Sequence, residues 1–250
     1  MKIVRFIYQR KLFWGRLAGE TVTLLADQPF DKIKFTRRKL PLKKVRLLAP
    51  TAPSKIILTG LNYRDHAREL KMPIPQEPLI FLKPNTTVIG PGAKIIYPHN
   101  VQRLDYEAEL AVVIGKRARF IPQQKAAKYI LGYTCLNDVT ARDLQKKDIQ
   151  WTRAKSFDSF CPVGPWIETE LNPQDLKISL YLNARLRQNS STRNLIFSVD
   201  ELVAFVSGIM TVLPGDVIST GTPPGVGSMQ RGDRVSVEIE GVGRLDNRVA

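Results

Sequence analysis

The sequence is poor in the residues that mark a disulfide-bonded, redox or membrane protein. It has two cysteines in 250 residues, Cys135 and Cys161, and their separation matches no metal-binding or redox motif. No apolar run is long enough to cross a bilayer, and the first residues lack the apolar core of a signal peptide. We therefore expect reduced cysteines, no membrane partner and a cytoplasmic location.

Acidic residues are also scarce, with 23 Asp and Glu against 38 Lys and Arg and a formal net charge of +15. The first 55 residues hold 14 of these cations against three acids, a net charge of +11. Clusters such as Arg37-Arg38-Lys39 would suit a nucleic acid, but no nucleic-acid-binding motif or row of aromatic residues accompanies them. A solvated basic surface is favoured, and it would also attract an anionic substrate. A nucleic-acid-binding or scaffold protein is the non-enzymatic alternative.

The hydrophobic pattern predicts many strands and few helices in two units. Residues 1–50 read as a small, basic, strand-rich unit, and the Pro-containing segment LAPTAPS leads to a larger unit over 55–250. Helices are predicted over 122–131, over 140–147 and after the capping-box pattern of Ser198 and Glu201. The remaining predicted strands include KIILTG, PLIFLKP, KIIYP, YTCLNDV, DVIST, RVSVEIE and GRLDNRV. Because strands and helices do not alternate regularly, we expect a mixed α+β fold rather than a doubly wound sheet.

Alternating acids lead into an apolar strand in RLDYEAELAVVIG, residues 103–115. Asp105, Glu107 and Glu109 stand at every second position, so on a strand their side chains share one face. Like charges side by side are unfavourable unless a cation lies between them, and Mg²⁺, Mn²⁺ and Ca²⁺ all prefer oxygen ligands. Asp138, directly after the apolar segment YTCLN, is a candidate third ligand. From the spacing alone, a solvated edge strand explains the pattern equally well.

Two pairs of residues have the spacing of one helical face. His66, one of only two histidines, is followed three positions later by Glu69, so the carboxylate can orient the imidazole as a general base. Arg142 and Gln145 have the same spacing, and the planar guanidinium suits a substrate carboxylate. Lys155 is placed to stabilise an oxyanion. For each of these residues, an ordinary surface charge or ion pair is the structural alternative.

The glycine-rich segment GTPPGVG, residues 221–227, lacks the spacing of a phosphate-binding loop. Its glycines allow the backbone to approach a ligand closely, although alone it would be a tight turn. Lys83 in FLKP is left out of the predicted site, since a surface lysine explains it equally well.

Six segments, in the same order, resemble the fumarylacetoacetate hydrolase family. They are GLNYRDHAREL (60–70), IFLKPNTTVIGPG (80–92), DYEAELAVVIG (105–115), YTCLNDVTARDLQ (133–145), AKSFDSFCPVGPW (154–166) and GDVISTGTPPGVG (215–227). The resemblance runs from about residue 55 to residue 249. It implies a strand-rich mixed β-sandwich or roll of the fumarylacetoacetase C-terminal-domain type, with few helices and a small N-terminal β unit.

The resemblance also implies a set of site residues. The implied ligands of Mg²⁺ or Mn²⁺, with Ca²⁺ as a further candidate, are Glu107, Glu109 and Asp138. The implied catalytic residues are His66, Glu69 and Lys155, the first two on a mobile lid. The implied substrate-binding residues are Arg142, Gln145, Gly221 and Thr222. Asp105 is not implied as a ligand.

The expected reaction is hydrolysis of a C–C bond in a 2,4-diketo acid, such as an acylpyruvate or fumarylpyruvate. The small anionic keto acid would chelate the ion, His66 would deprotonate the attacking water, and the enolate of pyruvate would leave. The alternatives on the same site are an isomerase of the 2-hydroxyhepta-2,4-diene-1,7-dioate or 5-carboxymethyl-2-hydroxymuconate type and an oxaloacetate decarboxylase or tautomerase. These need no activated water, so the intact His66–Glu69 pair favours the hydrolase. The family likeness also implies a homodimer.

Overall fold

Strands make up most of the regular structure. The computed structural model describes residues 1–30 and 32–250. Its strands are β1 (Lys2–Tyr8), β2 (Lys11–Ala18), β3 (Thr21–Leu25), β4 (Phe35–Pro41), β5 (Arg46–Leu47), β6 (Ile56–Gly60), β7 (Leu79–Lys83), β8 (Val88–Ile89), β9 (Lys94–Ile95), β10 (Leu104–Tyr106), β11 (Ala108–Ile114), β12 (Ile130–Asn137), β13 (Thr140–Ala141), β14 (Cys161–Glu168), β15 (Lys177–Leu182), β16 (Arg185–Ser191), β17 (Val217–Ser219), β18 (Gly227–Met229), β19 (Arg234–Ile239) and β20 (Gly243–Val249).

The helices are short. The α-helices are α1 (Arg64–Leu70), α2 (Arg142–Lys147), α3 (Thr152–Lys155) and α4 (Val199–Ile209). The 3₁₀ helices are Leu42–Lys44, Asn85–Thr87, Gln123–Tyr129, Pro173–Asp175 and Thr192–Asn194. Among the described residues, no helix combines the length and the apolar character that spanning a bilayer requires.

Three sheets organise the strands, as the predicted strand-rich α+β fold requires. The largest has 12 strands, in the order β4-β3-β2-β1-β14-β12-β11-β17-β6-β7, with β5 beside β1 and β8 beside β14. A five-stranded sheet has the order β16-β15-β19-β20-β9, and a small sheet has the order β13-β10-β18. Leu110 of β11, Cys135 of β12, Leu180 of β15 and Val237 of β19 are buried in one cluster. The main core therefore lies between the two larger sheets, as in a β-sandwich.

The first 50 residues continue the large sheet instead of folding apart from it. β1 pairs antiparallel with β14, with Lys2 opposite Glu168. Ile3 and Trp14 are buried in one cluster with Val113 and Ile167, so a smaller apolar cluster joins the N-terminal strands to the rest of the chain. The basic cluster 37–39 is exposed, in agreement with the solvated surface expected from the sequence.

Most of the predicted elements are confirmed, and three differ. The capping box is present: Ser198 Oγ accepts from the Glu201 amide, and the Glu201 carboxylate accepts from the Ser198 amide. Residues 122–131, predicted as an ordinary helix, contain a 3₁₀ helix over Gln123–Tyr129, and KIIYP is a strand only over Lys94–Ile95. The acidic segment is two strands rather than one, because the chain leaves the ladder at Glu107 between β10 and β11.

Candidate metal centre

The site lies at a corner where two neighbouring segments of the chain pass from the large sheet into the small sheet. β11 pairs with β12 as far as Ala108 and Asn137. The adjoining strands of the same two segments, β10 and β13, pair with each other in the small sheet. The Asp138 amide donates to the Glu107 carbonyl oxygen (2.8 Å), and the Glu107 amide donates to Asn137 Oδ1 (2.9 Å). These bonds hold Glu107 and Asp138 side by side in irregular backbone.

Three buried carboxylates converge at this corner. Glu107, Glu109 and Asp138 each offer an oxygen, and these oxygens all lie within 4.8 Å of one another. Burial raises the pKa of Glu109 well above its usual value of 4.5, and the neighbouring charges of Asp138 and Glu107 raise it further. Burial also disfavours the charged form of Glu107, but Lys155 and Arg142 outweigh it and lower the pKa of Glu107 to about 2. Without a metal ion among the three carboxylates, a proton on Glu109 reduces the repulsion between their charges.

Two oxygens of the three carboxylates accept no hydrogen bond in the described part of the chain, and they suit a hard divalent cation. Asp138 Oδ1 is buried and accepts no hydrogen bond among the described residues, although Lys83 Nζ lies 2.6 Å away as an ion-pair partner. Glu109 Oε2 accepts from Ser219 Oγ and from the Gly221 amide (3.0 Å), while Glu109 Oε1 has no such donor in the described part of the chain. Carboxylate oxygens are the ligands that Mg²⁺ and Mn²⁺ prefer.

Buried cations surround the carboxylates. Lys155 Nζ donates to Glu107 Oε2 (2.9 Å) and to Asp138 Oδ2 (2.5 Å). Burial would lower the pKa of Lys155, but Asp138 and Glu107 raise it above its usual value, so the ammonium stays charged. Arg142 donates to Glu107 Oε1 and to Asp105 Oδ2 (2.8 Å), which places Asp105 behind the triad as an anchor for the arginine.

We expect Mg²⁺ to stabilise this protein more at high pH than at low pH. Glu109 binds its proton more tightly in the folded than in the unfolded protein, so metal-free stability falls as pH rises from about 4.5 through its raised folded pKa. Mg²⁺ must displace that proton, and the free-energy cost of displacing it falls as the pH rises. Thermal unfolding with and without Mg²⁺ at about pH 5 and pH 8 measures this. An equal increase in Tm at both values would contradict a proton-linked site at Glu109.

A histidine and a glutamate lie together on α1 at the edge of the same cavity. His66 Nδ1 lies 2.8 Å from Glu69 Oε2. Because an ionised carboxylate can only accept, Nδ1 carries the hydrogen and Nε2 is left as the basic nitrogen. Glu69 Oε1 also accepts from the Gly225 amide (3.1 Å), which ties α1 to the loop 221–227. His66 lines a cavity of about 330 Å³ together with the three carboxylates.

The loop 221–227 contributes more to holding the site than the sequence predicts. Gly221 has φ +88°, and a Cβ there would lie 3.0 Å from that of Asn62, so the turn requires glycine. The Gly221 amide donates to Glu109, and its predicted contact with substrate stays a prediction. Thr222 lines the cavity and accepts from Gln188 Nε2 (2.9 Å). Gln188 Oε1 accepts in turn from the Ala108 amide (2.9 Å), between Glu107 and Glu109.

The predicted substrate-binding pair lies in the cavity but is already engaged. Arg142 Nη1 donates to Gln145 Oε1 (2.5 Å), and its other nitrogens hold Asp105 and Glu107. The role of Arg142 and Gln145 in binding a substrate carboxylate therefore stays a prediction. The Gln145 Nε2 group keeps its two N–H donors for that purpose.

Comparison with known proteins agrees with the strand-rich fold. The family described as "Fumarylacetoacetate (FAA) hydrolase C-terminal" matches residues 55–250, and a second, "Rv2993c-like, N-terminal", matches residues 1–50. The chain belongs to the fumarylacetoacetate hydrolase family. The two matches cover the described fold from β1 to β20.

Relatives within the fumarylacetoacetate hydrolase family carry different activities in their names. The chain is 44% identical over 223 residues to the mitochondrial oxaloacetate tautomerase FAHD2B of Bos taurus, covering 84% of this chain and 71% of that protein. A 5-carboxymethyl-2-hydroxymuconate delta-isomerase structure from Mycobacterium smegmatis is 44% identical with TM-score 0.95, covering 100% of this chain and 99% of the other. A maleylpyruvate hydrolase structure from Sphingobium sp. SYK-6 is 31% identical with TM-score 0.85 and the same coverage. Family membership thus does not select one reaction.

Several residues of this family site lie outside the sequence-based prediction. Lys83, left out as a surface lysine, is buried on β7 and also donates to the Val139 carbonyl oxygen (2.9 Å). Its signal was its position in an alternating strand, where it shares a face with Phe81. Gln188 and Ser219 had no local signal, because their partners lie 80 and 110 residues away in the sequence.

Proposed function

We propose that this protein is a Mg²⁺- or Mn²⁺-dependent hydrolase that cleaves a C–C bond in 2,4-diketo acids. The observation that carries the proposal is the orientation of His66 by Glu69 in the cavity that Glu107, Glu109 and Asp138 line. A carboxylate triad alone would serve many reactions of an enolate. An imidazole oriented by a carboxylate additionally suits activation of water.

The three carboxylates would hold the ion, which would supply Lewis acidity to the carboxylate and 2-oxo group of the substrate. Charge balance in the surrounding network supports an anionic substrate. The buried carboxylates are those of Asp105, Glu107, Glu109 and Asp138, and the cations that pair with the first, second and fourth of them are Arg103, Arg142, Lys83 and Lys155. Because the four anions are matched by four cations, a divalent ion gives the site an excess of positive charge.

The side chains of this protein would carry the proton transfers. His66 Nε2 takes a proton from water as the water oxygen bonds to the C4 carbonyl carbon. The C3–C4 bond then breaks, its electron pair passes to C3, and the acyl part leaves as a carboxylic acid. The enolate takes a proton at C3 to give pyruvate. Lys155 uses two of its three donors on Glu107 and Asp138, so a third remains to stabilise the enolate oxygen.

A second candidate function is proton transfer within a keto acid, as in tautomerisation of oxaloacetate or isomerisation of a 2-hydroxydienedioate. The names of the bovine and mycobacterial relatives favour it. The same His66 could move a proton between carbon and oxygen without activating water. Apolar side chains that line the cavity, among them Phe81 and Trp151, favour the hydrolase, because oxaloacetate and the dienedioate each carry a second carboxylate.

A direct comparison of substrates tests the proposal. Acetylpyruvate, oxaloacetate and 2-hydroxyhepta-2,4-diene-1,7-dioate should be assayed side by side with Mg²⁺ and with a chelator. We expect kcat/KM for acetylpyruvate hydrolysis to exceed the other two values by at least about tenfold, equivalent to 1.4 kcal/mol of transition-state binding, and chelation to abolish it. Faster turnover of oxaloacetate or the dienedioate would replace the hydrolase with the second candidate.

A further inference from the structure

We propose, building on the diketo-acid hydrolase above, that the acyl group beyond the cleaved bond is apolar, an alkyl or aryl chain, and does not end in a second carboxylate. The cavity is lined by polar groups, the carboxylates and their partners, and by a set of apolar side chains that form an apolar wall. The residues of the apolar wall are Leu61, Leu70, Met72, Leu79, Phe81 and Trp151. A substrate held at its keto-acid end would extend along this wall.

The apolar wall begins directly beside the proposed catalytic lysine. Lys155 Nζ lies 5.1 Å from the centre of the Phe81 ring, and the Phe81 ring meets Trp151 edge to face at 5.2 Å. Gly60 keeps this surface open, since a Cβ there would lie 3.1 Å from Trp151 and 3.2 Å from Leu79. The apolar surface is therefore continuous from the place of bond cleavage to the cavity mouth.

Side chains at the mouth expose apolar surface that a ligand would cover. Leu70, Met72 and Leu79 are 47%, 52% and 53% exposed although all three line the cavity. Removing such surface from water is favourable in proportion to its area. A substrate with an alkyl or aryl acyl group would gain from this contact, whereas a carboxylate placed against it would lose its hydration.

The cations of the cavity do not provide a site for a distal carboxylate. Lys155 and Arg142 already hold carboxylates of the protein. Among the described residues that line the cavity, Lys146 is the lysine or arginine without an ion pair, and it is exposed to solvent. Exposed pairs of this kind contribute little to binding because water and salt screen them.

Two 2-oxo acids of equal length test the proposal by binding alone. 2-Oxohexanoate and 2-oxohexanedioate differ only in a terminal methyl group or carboxylate, and calorimetry in the presence of Mg²⁺ gives both dissociation constants. We expect 2-oxohexanoate to bind at least about tenfold more tightly, a difference of 1.4 kcal/mol. Equal or tighter binding of the dioate would overturn the proposal. If neither binds, the keto-acid site itself is wrong and the proposed function falls with it.

Variants on one strand make the test specific to the wall. Leu79→Lys places a cation at the mouth and should reverse the preference towards the dioate. Leu82→Lys is the matched control, because Leu82 is 46% exposed on the opposite face of the same strand and should leave the preference unchanged. Lys146→Ala tests the remaining cation. If the unsubstituted protein prefers 2-oxohexanedioate and Lys146→Ala weakens the binding of this ligand alone, Lys146 binds the distal carboxylate and the proposed apolar acyl group is wrong.

Discussion

Replacing Glu109 with glutamine is expected to weaken Mg²⁺ binding and activity strongly while leaving the metal-free protein at least as stable as the unsubstituted protein. Glutamine keeps an oxygen that can accept from Ser219 Oγ and the Gly221 amide, so the local hydrogen bonds survive. It removes a charge that burial, Asp138 and Glu107 disfavour, as the raised pKa of Glu109 indicates. The gain in metal-free stability should increase with pH above about 4.5, because Glu109 ionises there in the unfolded protein while the folded protein keeps its proton.

The expected losses are large because Glu109 is proposed to contact the ion directly. We expect Mg²⁺ affinity to fall by at least about 100-fold and kcat/KM by roughly 10³-fold, as expected for several kcal/mol of lost charge stabilisation. Calorimetric titration with Mg²⁺ and thermal unfolding without it separate the two effects. Glu20→Gln, at an exposed turn, is the control and should change neither. A destabilised Glu109→Gln protein that still binds Mg²⁺ would mean that Glu109 is structural.

Replacing His66 with alanine is expected to lower kcat for diketo-acid hydrolysis by about 10²–10⁴-fold, the range typical of a lost general base. His66 bonds to Glu69 and to none of the three carboxylates, so Mg²⁺ affinity should stay within about twofold. Glu69→Gln should give a smaller loss of kcat, because it leaves the imidazole in place but removes the carboxylate that fixes its tautomer.

His99 provides the matched control for this experiment, as the second histidine of the chain and an exposed one. His99→Ala should leave both kcat and Mg²⁺ affinity unchanged. Hydrolysis that survives His66→Ala would exclude His66 as the base. Loss of Mg²⁺ binding in the same variant would instead assign it a part in the metal site.

The acidic cluster could be predicted in part because its strongest signal is local, although the spacing alone suited a solvated edge strand equally well. Glu107 and Glu109 are close in sequence, and their alternation with apolar residues survives in the folded protein as a convergence on one place. The break at Glu107 could not be predicted from the pattern, since the apolar residues continue on both sides of it. It depends on Asn137 and Asp138, whose bonds to Glu107 form only when β11 and β12 pair.

The sequence pattern did not predict two β-hairpins, because their turns lack the glycine that usually marks a two-residue turn. β1 and β2 are joined by Gln9-Arg10, and β15 and β16 by Asn183-Ala184, with positive φ at all four residues. Such two-residue turns commonly contain Asn-Gly or Asp-Gly, and neither pair has the glycine. Lys83 was missed for another reason: its burial depends on Asp138, Val139 and Phe160, which the fold brings to it from more than 50 residues away.

The proposed reaction depends on one divalent ion held by Glu107, Glu109 and Asp138 together. A crystal grown with Mn²⁺ and measured at a wavelength where manganese scatters anomalously tests it most directly. We expect a single anomalous peak within coordination distance, about 2.0–2.3 Å, of an oxygen from each carboxylate. A map without that peak, in which Lys155 and Lys83 alone neutralise the three side chains, would contradict it.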